Sequence, residues 1–361
     1  MKASPMHGMA AGVRAQPQRR ASDYLKTPQG WLFLLVGAVM LALLATGERH
    51  VPNLLDQDNY LEYFRTTTWD WIVQLYDQRV STTNFVISMI TEELGWRMWV
   101  ISVNSLGLTP EVGVRLTVII LNALVMFALL GVRRPLLGLI LWIVIPPALA
   151  TIGLFQIRQG FAFAVAMVLT TRFQRPLTGW VLASFIHTTF AVPALLLVAI
   201  RACLRRGKWL ALGGASVMAL VLASSASFLF HNFGGRRLAE YAGYQDDFTI
   251  RLVLLLIAYM FGSVMVLYSS WRAPHSRRQI ALTELSLMHV SLVLYLVAAY
   301  FVFPLGKGRV WYCIPLLLAF LIPEIKFKTT AVWWVTAAVL MVLSADVVKS
   351  YYEGVYIYFL G

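Results

Sequence analysis

The chain has 361 residues, of which 59% are hydrophobic and 13% are charged, whereas a soluble domain carries about 25% charged residues. Together with a mean hydropathy of +0.70, this composition excludes an ordinary soluble core. The net charge of +13 comes from short, dispersed basic clusters, which favour the positive-inside bias of an inner-membrane protein and exclude a nucleic-acid-binding face.

Residues 1–30 form a polar tail with five basic residues and one acid, and this balance predicts a cytoplasmic N-terminus. The apolar segment 31–46 follows. No small-residue cleavage pattern precedes Glu48 and Arg49, so we interpret this segment as a retained first transmembrane span rather than a secretory signal. The remainder, residues 31–361, is expected to form a single membrane domain.

Residues 47–111 hold nine of the 17 acids, which predicts a first periplasmic loop. Segment 84–106 is apolar but carries Glu92, Glu93 and Arg97 at its middle, where each charge would cost several kcal/mol in a bilayer. We therefore expect it to lie on the membrane surface. Four tryptophans suit such interfacial helices: Trp69, Trp71, Trp96 and Trp99.

Beyond the first loop, apolar blocks predict ten more spans, giving about eleven in an all-α polytopic fold with the C-terminus outside. The predicted spans are 115–131, 136–154, 158–171, 177–189, 190–204, 209–229, 251–270, 284–304, 309–324 and 329–347. This arrangement places five basic clusters in the cytoplasm, namely Arg133/Arg134, Arg172/Arg175, Arg201 to Lys208, Arg272 to Arg278 and Lys326/Lys328. Residues 230–250 become a second periplasmic loop, and Tyr351–Tyr358 are interpreted as an aromatic belt.

Several cations remain on the outer side or within spans, where ionisable residues are functional candidates by default. They are Arg158, Arg236, Arg237, Lys307 and Arg309, with His187, Tyr241, Tyr244 and Tyr312 nearby in the predicted topology. Converging cations suit a pyrophosphate or another anionic head group.

Each candidate also has an ordinary structural interpretation. Arg158 could snorkel to the head groups, although neighbouring Gln159 and Gly160 indicate close packing beside a polar site. His187 could be a hydrogen-bonded core histidine. The two loop arginines could be solvated, and Arg309 could anchor a helix end.

The first loop carries paired carboxylates, Asp56 and Asp58, about ten residues after the first span. Such a pair could hold a metal, orient a sugar or act as a general base. The alternative is a solvated turn in which Asp58 caps a helix.

These residues resemble a family, the EpsG-type polysaccharide polymerases related to the Wzy O-antigen polymerases. The resemblance rests on four pieces in one order, with a Tyr241-x-x-Tyr244 loop between the third and fourth. The pieces are Asp56-x-Asp58-x-Tyr60 with Glu93 before Leu94-Gly95-Trp96, then Ile157-Arg158-Gln159-Gly160-Phe161-Ala162, then Ile186-His187-Thr188-Thr189, and finally Gly308-Arg309-x-x-Tyr312 with Ile314-Pro315 and Ile322-Pro323.

The resemblance implies a GT-C-like helical membrane fold, with interfacial helices in the first outer loop. It also implies polymerisation of undecaprenyl-pyrophosphate-linked oligosaccharide repeat units on the periplasmic face, with room for a chain-length regulator as a partner. Under this hypothesis, Asp58, Asp56 or His187 serves as base or orients the acceptor, and Arg158 and Arg309 clamp the pyrophosphate. The supporting substrate-binding residues are Gln159, Arg236, Arg237, Lys307, Tyr241, Tyr244 and Tyr312. No cofactor is required, and a divalent metal, although compatible, is not indicated by ligand spacing.

Three rival functions stay open at this point. A GT-C-like transferase could move one sugar from a lipid monophosphate, and it would share the acidic first loop. A transporter or flippase for lipid-linked sugars would instead place its charges in a central cavity. A membrane scaffold would leave the outward-facing arginines unexplained.

Overall fold

The structure is a computed structural model that describes residues 21–46, 57–77, 82–233, 249–270, 276–302, 307–326 and 330–352. These residues are helical and include no β-strand. The α-helices are α1 Ala21–Leu25, α2 Pro28–Thr46, α3 Gln57–Thr66, α4 Trp69–Asp77, α5 Thr82–Thr91, α6 Leu94–Asn104, α7 Pro110–Leu129, α8 Pro135–Val144, α9 Ile157–Thr171, α10 Pro176–Ile186, α11 Ala191–Leu204, α12 Lys208–Phe233, α13 Ile250–Ser270, α14 Arg277–Val302, α15 Lys307–Leu321 and α16 Thr330–Tyr352.

One π-helix and two short 3-10 helices interrupt this series of α-helices. A π-helix, Pro147–Phe155, lies between α8 and α9, and 3-10 turns at Thr188–Phe190 and Ile322–Glu324 follow α10 and α15.

Proline and threonine set the starts of several apolar helices. Thr109 caps α7, because its side chain accepts a hydrogen bond from the Val112 backbone N–H at 3.4 Å, and Pro110 occupies the first turn. Pro135 and Pro176 likewise stand in the first turn of α8 and α10, where the missing proline N–H costs no helical hydrogen bond.

Four helices are long and apolar enough to cross a bilayer, or five if α8 and the π-helix count as one bent span. The four are α2, α7, the Lys208–Ser225 part of α12, and α14. A helix stands at the place of each of the eleven predicted spans, but several have only 10 to 17 residues, so eleven crossings are not confirmed. Predicted span 136–154 is bent by 73° where α8 meets the π-helix.

The first-loop segment contains four short helices, α3 to α6. The predicted surface segment 84–106 divides at Glu93 into α5 and α6, with 10 and 11 residues, and neither reaches the length of a span. The expectation that Trp96 anchors this segment in the interface is wrong, because its side chain is fully buried. Helix α6 packs into the protein against α3, α7 and α10.

A buried asparagine joins the bent segment to α7. The Asn122 side-chain amide donates to the Gly153 carbonyl at 3.0 Å, and its Oδ1 accepts from the Trp142 indole N–H at 3.0 Å. Asn122 therefore gives a partner to a carbonyl of the π-helix and to the indole of α8. A polar bond of this kind stabilises irregular backbone that lies away from water.

Basic residues from separate segments meet at the C-terminal end of α9, which we call the basic end and define by Arg133, Arg134, Arg172, Arg278 and Glu324. Glu324 accepts hydrogen bonds from the Arg133 backbone N–H and the Arg278 guanidinium. Arg134 donates to the Ile325 carbonyl and Arg172 to the Leu130 carbonyl. Residues from three of the clusters predicted to share the cytoplasmic face thus share one end of the bundle.

The second half of the bundle, α11 to α16, has its own polar contacts. Arg201 of α11 forms a two-bond ion pair with the buried carboxylate of Glu284 on α14, at 2.8 and 3.0 Å. His289 on α14 bonds to Ser263 of α13 and to the Ile314 carbonyl of α15. These contacts join neighbouring apolar helices.

Candidate functional site

Three ionisable side chains from distant parts of the chain meet at the opposite end of α9. Arg158 Nη1 lies 2.5 Å from Glu93 Oε2, and His187 Nδ1 lies 3.8 Å from Glu93 Oε1. The Arg158 and His187 side chains are 4% and 5% exposed, and Glu93 is 10% exposed. Because Glu93 contacts both other groups, it forms the centre of what we call the Glu93 cluster, namely Glu93, Arg158 and His187.

The Glu93 backbone is held in an unusual conformation. Its φ of 55° and ψ of 50° lie in the left-handed region, which costs a non-glycine residue on the order of 1–2 kcal/mol. Glu93 precedes α6 without capping it, so its carboxylate turns to Arg158 instead. The Thr188 hydroxyl donates to the Ile90 carbonyl at 3.2 Å and fixes this turn against the segment that carries His187.

Two glycines allow the helices of the site to approach closely. A Cβ at Gly160 would lie 2.3 Å from the Ile152 carbonyl oxygen, so α9 packs directly on the π-helix. The predicted close packing beside Arg158 is therefore confirmed. A Cβ at Gly95 would lie 3.1 Å from the Phe185 carbonyl, at the end of α10 that leads into His187.

Aromatic side chains lie beside the guanidinium of Arg158. Its Nη1 donates to the Tyr63 hydroxyl at 3.0 Å, and its carbon Cζ lies 4.9 Å and 5.6 Å from the ring centres of Tyr63 and Tyr60. Trp96 packs edge-on against Tyr60. In the part of the chain that the structure describes, Arg158 Nε and Trp96 Nε1 are buried N–H groups without a hydrogen-bond partner.

One hydrogen bond of His187 assigns the role of its Nδ1 atom. The backbone N–H of Thr189 donates to His187 Nδ1 at 3.2 Å, which requires a lone pair on that nitrogen. This geometry assigns Nδ1 as the acceptor, which places the proton of a neutral ring on Nε2. A proton arriving at Nδ1 would face Glu93 and convert the 3.8 Å contact into an ion pair.

A second guanidinium approaches Tyr63 from another helix. Arg97 Cζ lies 5.3 Å from the Tyr63 ring centre and 3.7 Å from the Trp71 ring centre. Its Nε donates to the Glu92 carbonyl at 2.9 Å, and its Nη2 lies 3.5 Å from the Glu92 carboxylate. Tyr63 is therefore within cation–π distance of both Arg97 and Arg158.

The structure brings together only some of the predicted site residues. Arg158 and His187 meet in the Glu93 cluster, and buried Gln159 has its Nε2 4.0 Å from Cys313 Sγ. Tyr312, beside Cys313 on α15, is half-buried. The exposed side chain of Asp58 stands in the first turn of α3 and does not enter the buried cluster.

Other predicted residues lie outside the described parts of the chain. Lys307 and Arg309 belong to the first turn of α15, but their side chains are not described. The fully undescribed candidates are Asp56, Arg236, Arg237, Tyr241 and Tyr244.

Sequence analysis did not place Glu93, Tyr63 or Arg97 among the site residues. The signal was present for two of them, since Glu93 and Arg97 are charges within an apolar segment, which marks functional candidates. No feature of the sequence indicates Tyr63, because a tyrosine in an amphipathic loop helix is common.

The described residues contain no group of three or more His, Cys, Asp or Glu side chains arranged to hold a metal ion. Fold and site together define an all-helical protein with apolar helices that fit a lipid bilayer and a buried cluster of ionisable residues. Comparison with known proteins adds no relative, since neither a family model, a curated protein nor a solved structure gives a significant match.

Proposed function

We propose that this chain is a bacterial inner-membrane glycosyltransferase that polymerises undecaprenyl-pyrophosphate-linked oligosaccharide repeat units on the periplasmic face. The observation that carries the proposal is the meeting of Glu93, Arg158 and His187. Each belongs to a different piece of the sequence resemblance, and 65 residues separate the first two. Chance resemblance would give no reason for the three pieces to share one buried site.

The proposal assigns the Glu93 cluster to the acceptor sugar. Glu93 Oε2 contacts Arg158, which fixes the carboxylate, while Oε1 faces His187. An acceptor hydroxyl beside Oε1 could donate its proton to the carboxylate. Its oxygen would then bond to the anomeric carbon of the donor, the bond from that carbon to the diphosphate oxygen would break, and the lipid diphosphate would leave with the electron pair.

The cluster would lie below the outer membrane surface. From Arg158 to Thr171 at the basic end, α9 rises about 20 Å, whereas the hydrocarbon core is about 30 Å thick. Helices α3 to α6 would then cover the site from the periplasmic side. This placement requires the N-terminus and the basic end in the cytoplasm, a GT-C-like arrangement of about eleven crossings, and substrate entry from the bilayer.

The test measures polymer chain length in cells that carry single substitutions at equal protein level. We expect Glu93→Gln and Arg158→Ala to abolish long polymer. Arg158→Lys should restore it only in part, since an ammonium group keeps the charge but not the planar contact of the guanidinium with Tyr60 and Tyr63. Arg201→Ala is the matched control, because it also breaks an ion pair to a buried carboxylate. Full-length polymer from Glu93→Gln and Arg158→Ala would refute the proposal.

A further inference from the structure

The two guanidiniums beside Tyr63 differ in how strongly their own carboxylates hold them. Arg158 contacts Glu93 at 2.5 Å, and the side chains of this pair are only 4% and 10% exposed, respectively. Arg97 lies 3.5 Å from Glu92, and the side chains of this pair are 11% and 35% exposed, respectively. An ion pair that is partly exposed to solvent contributes little, whereas separating a buried pair is strongly unfavourable. An incoming anion would therefore displace Glu92 from Arg97 much more readily than Glu93 from Arg158.

The position of Arg97 is fixed without that carboxylate. The guanidinium stacks 3.7 Å from the Trp71 ring centre, and its Nε donates to the Glu92 backbone carbonyl. Both contacts persist if the Glu92 carboxylate swings away. Arg97 thus keeps its orientation while an anion replaces its partner, and a fixed guanidinium fork suits phosphate oxygens.

From this geometry we infer that Arg97 is the residue that receives the diphosphate of a lipid-linked substrate. The Arg97 guanidinium, beside the Trp71 and Tyr63 rings, would bind the phosphate oxygens. This inference rests on the proposed function and assigns a different role to each of the two arginines. Arg158 orients the Glu93 carboxylate toward the acceptor, and Arg97 binds the phosphates of the donor. The pyrophosphate role that the sequence assigned to Arg158 thereby passes to Arg97.

The test measures binding of farnesyl diphosphate, a short lipid diphosphate, to the purified full-length protein in detergent micelles. We expect Arg97→Gln to weaken binding by at least about tenfold, the loss of one charge-assisted hydrogen bond, and Arg97→Lys to weaken it less. Glu92→Gln should tighten binding, because it removes the competing carboxylate. If this pair had a purely structural role, the two substitutions would not change the affinity in opposite directions.

Arg65→Gln provides the matched control, because Arg65 lies on α3 of the same segment in an exposed ion pair with Glu111 at 3.6 Å. We expect its affinity to equal that of the wild type. Unchanged affinity in Arg97→Gln, or no binding by the wild type, would overturn the inference.

Inorganic pyrophosphate and farnesyl monophosphate identify the source of the anion. We expect both to bind more weakly than farnesyl diphosphate, and equal affinity for inorganic pyrophosphate would overturn the lipid assignment. Failure here is distinguishable from failure of the proposed function, because chain-length loss in Glu93→Gln cells does not depend on Arg97.

Discussion

Replacement of Glu93 by leucine should destabilise the protein, because the positive charge of Arg158 would lose its counter-charge. Arg158 is only 4% exposed, so Glu93→Leu would leave a buried guanidinium without a counter-charge. Such a loss costs about 3–5 kcal/mol. The Tyr63 hydroxyl and two aromatic rings still contact Arg158, which favours the lower end, about 3 kcal/mol.

The measurement is a double-mutant cycle with Glu93→Leu, Arg158→Met and the double variant. Unfolding by dodecyl sulfate in mixed micelles, followed by tryptophan fluorescence, gives the free energy of unfolding of each. The double variant removes both charges and fills their volume with apolar atoms, so we expect it to be more stable than Glu93→Leu, with a coupling energy above about 2 kcal/mol. Additive effects of the two substitutions would refute the claim that Glu93 and Arg158 form one buried pair.

Two further predictions concern the packing that presents Arg158. Gly160→Val should shift the melting temperature down, because its Cβ would lie 2.3 Å from the Ile152 carbonyl oxygen, and overpacking costs about 1–3 kcal/mol; a melting temperature equal to the wild type would contradict the close contact. Asn122→Leu should cost about 1–3 kcal/mol in unfolding free energy, since it leaves the Trp142 indole N–H and the Gly153 carbonyl without their partner. An Asn122→Leu protein as stable as the wild type would show that this bond does not stabilise the bent segment.

The sequence predicted the helical class and the positions of the apolar elements because those depend on local composition. Blocks such as 31–46 and 115–131 match α2 and α7 within a few residues. The bend at 136–154 was not predicted. The bend falls at Pro146-Pro147, because proline cannot continue α8. The π-helix that follows is held by Asn122, a contact between residues 31 positions apart that hydropathy does not record.

The candidate site was predicted only in part, because local composition marks single residues but not the contacts between distant segments. Arg158 and His187 carry charge or a titratable ring in apolar surroundings, which marks them individually. Their partner could not be chosen from the sequence, because Glu93, Asp56 and Asp58 are all acids of one loop. The left-handed turn at Glu93 and the exposure of Asp58 favour Glu93 at the site, and neither feature appears in composition or spacing.

The central claim is tested most directly by reconstituting the purified chain in vesicles with a lipid-diphosphate-linked repeat unit. We predict that wild-type protein yields a ladder of glycosidically linked products and that Glu93→Gln, folded to the same extent, yields none. A wild-type protein that moves the lipid-linked unit across the bilayer without joining two units would contradict the account and support a transporter.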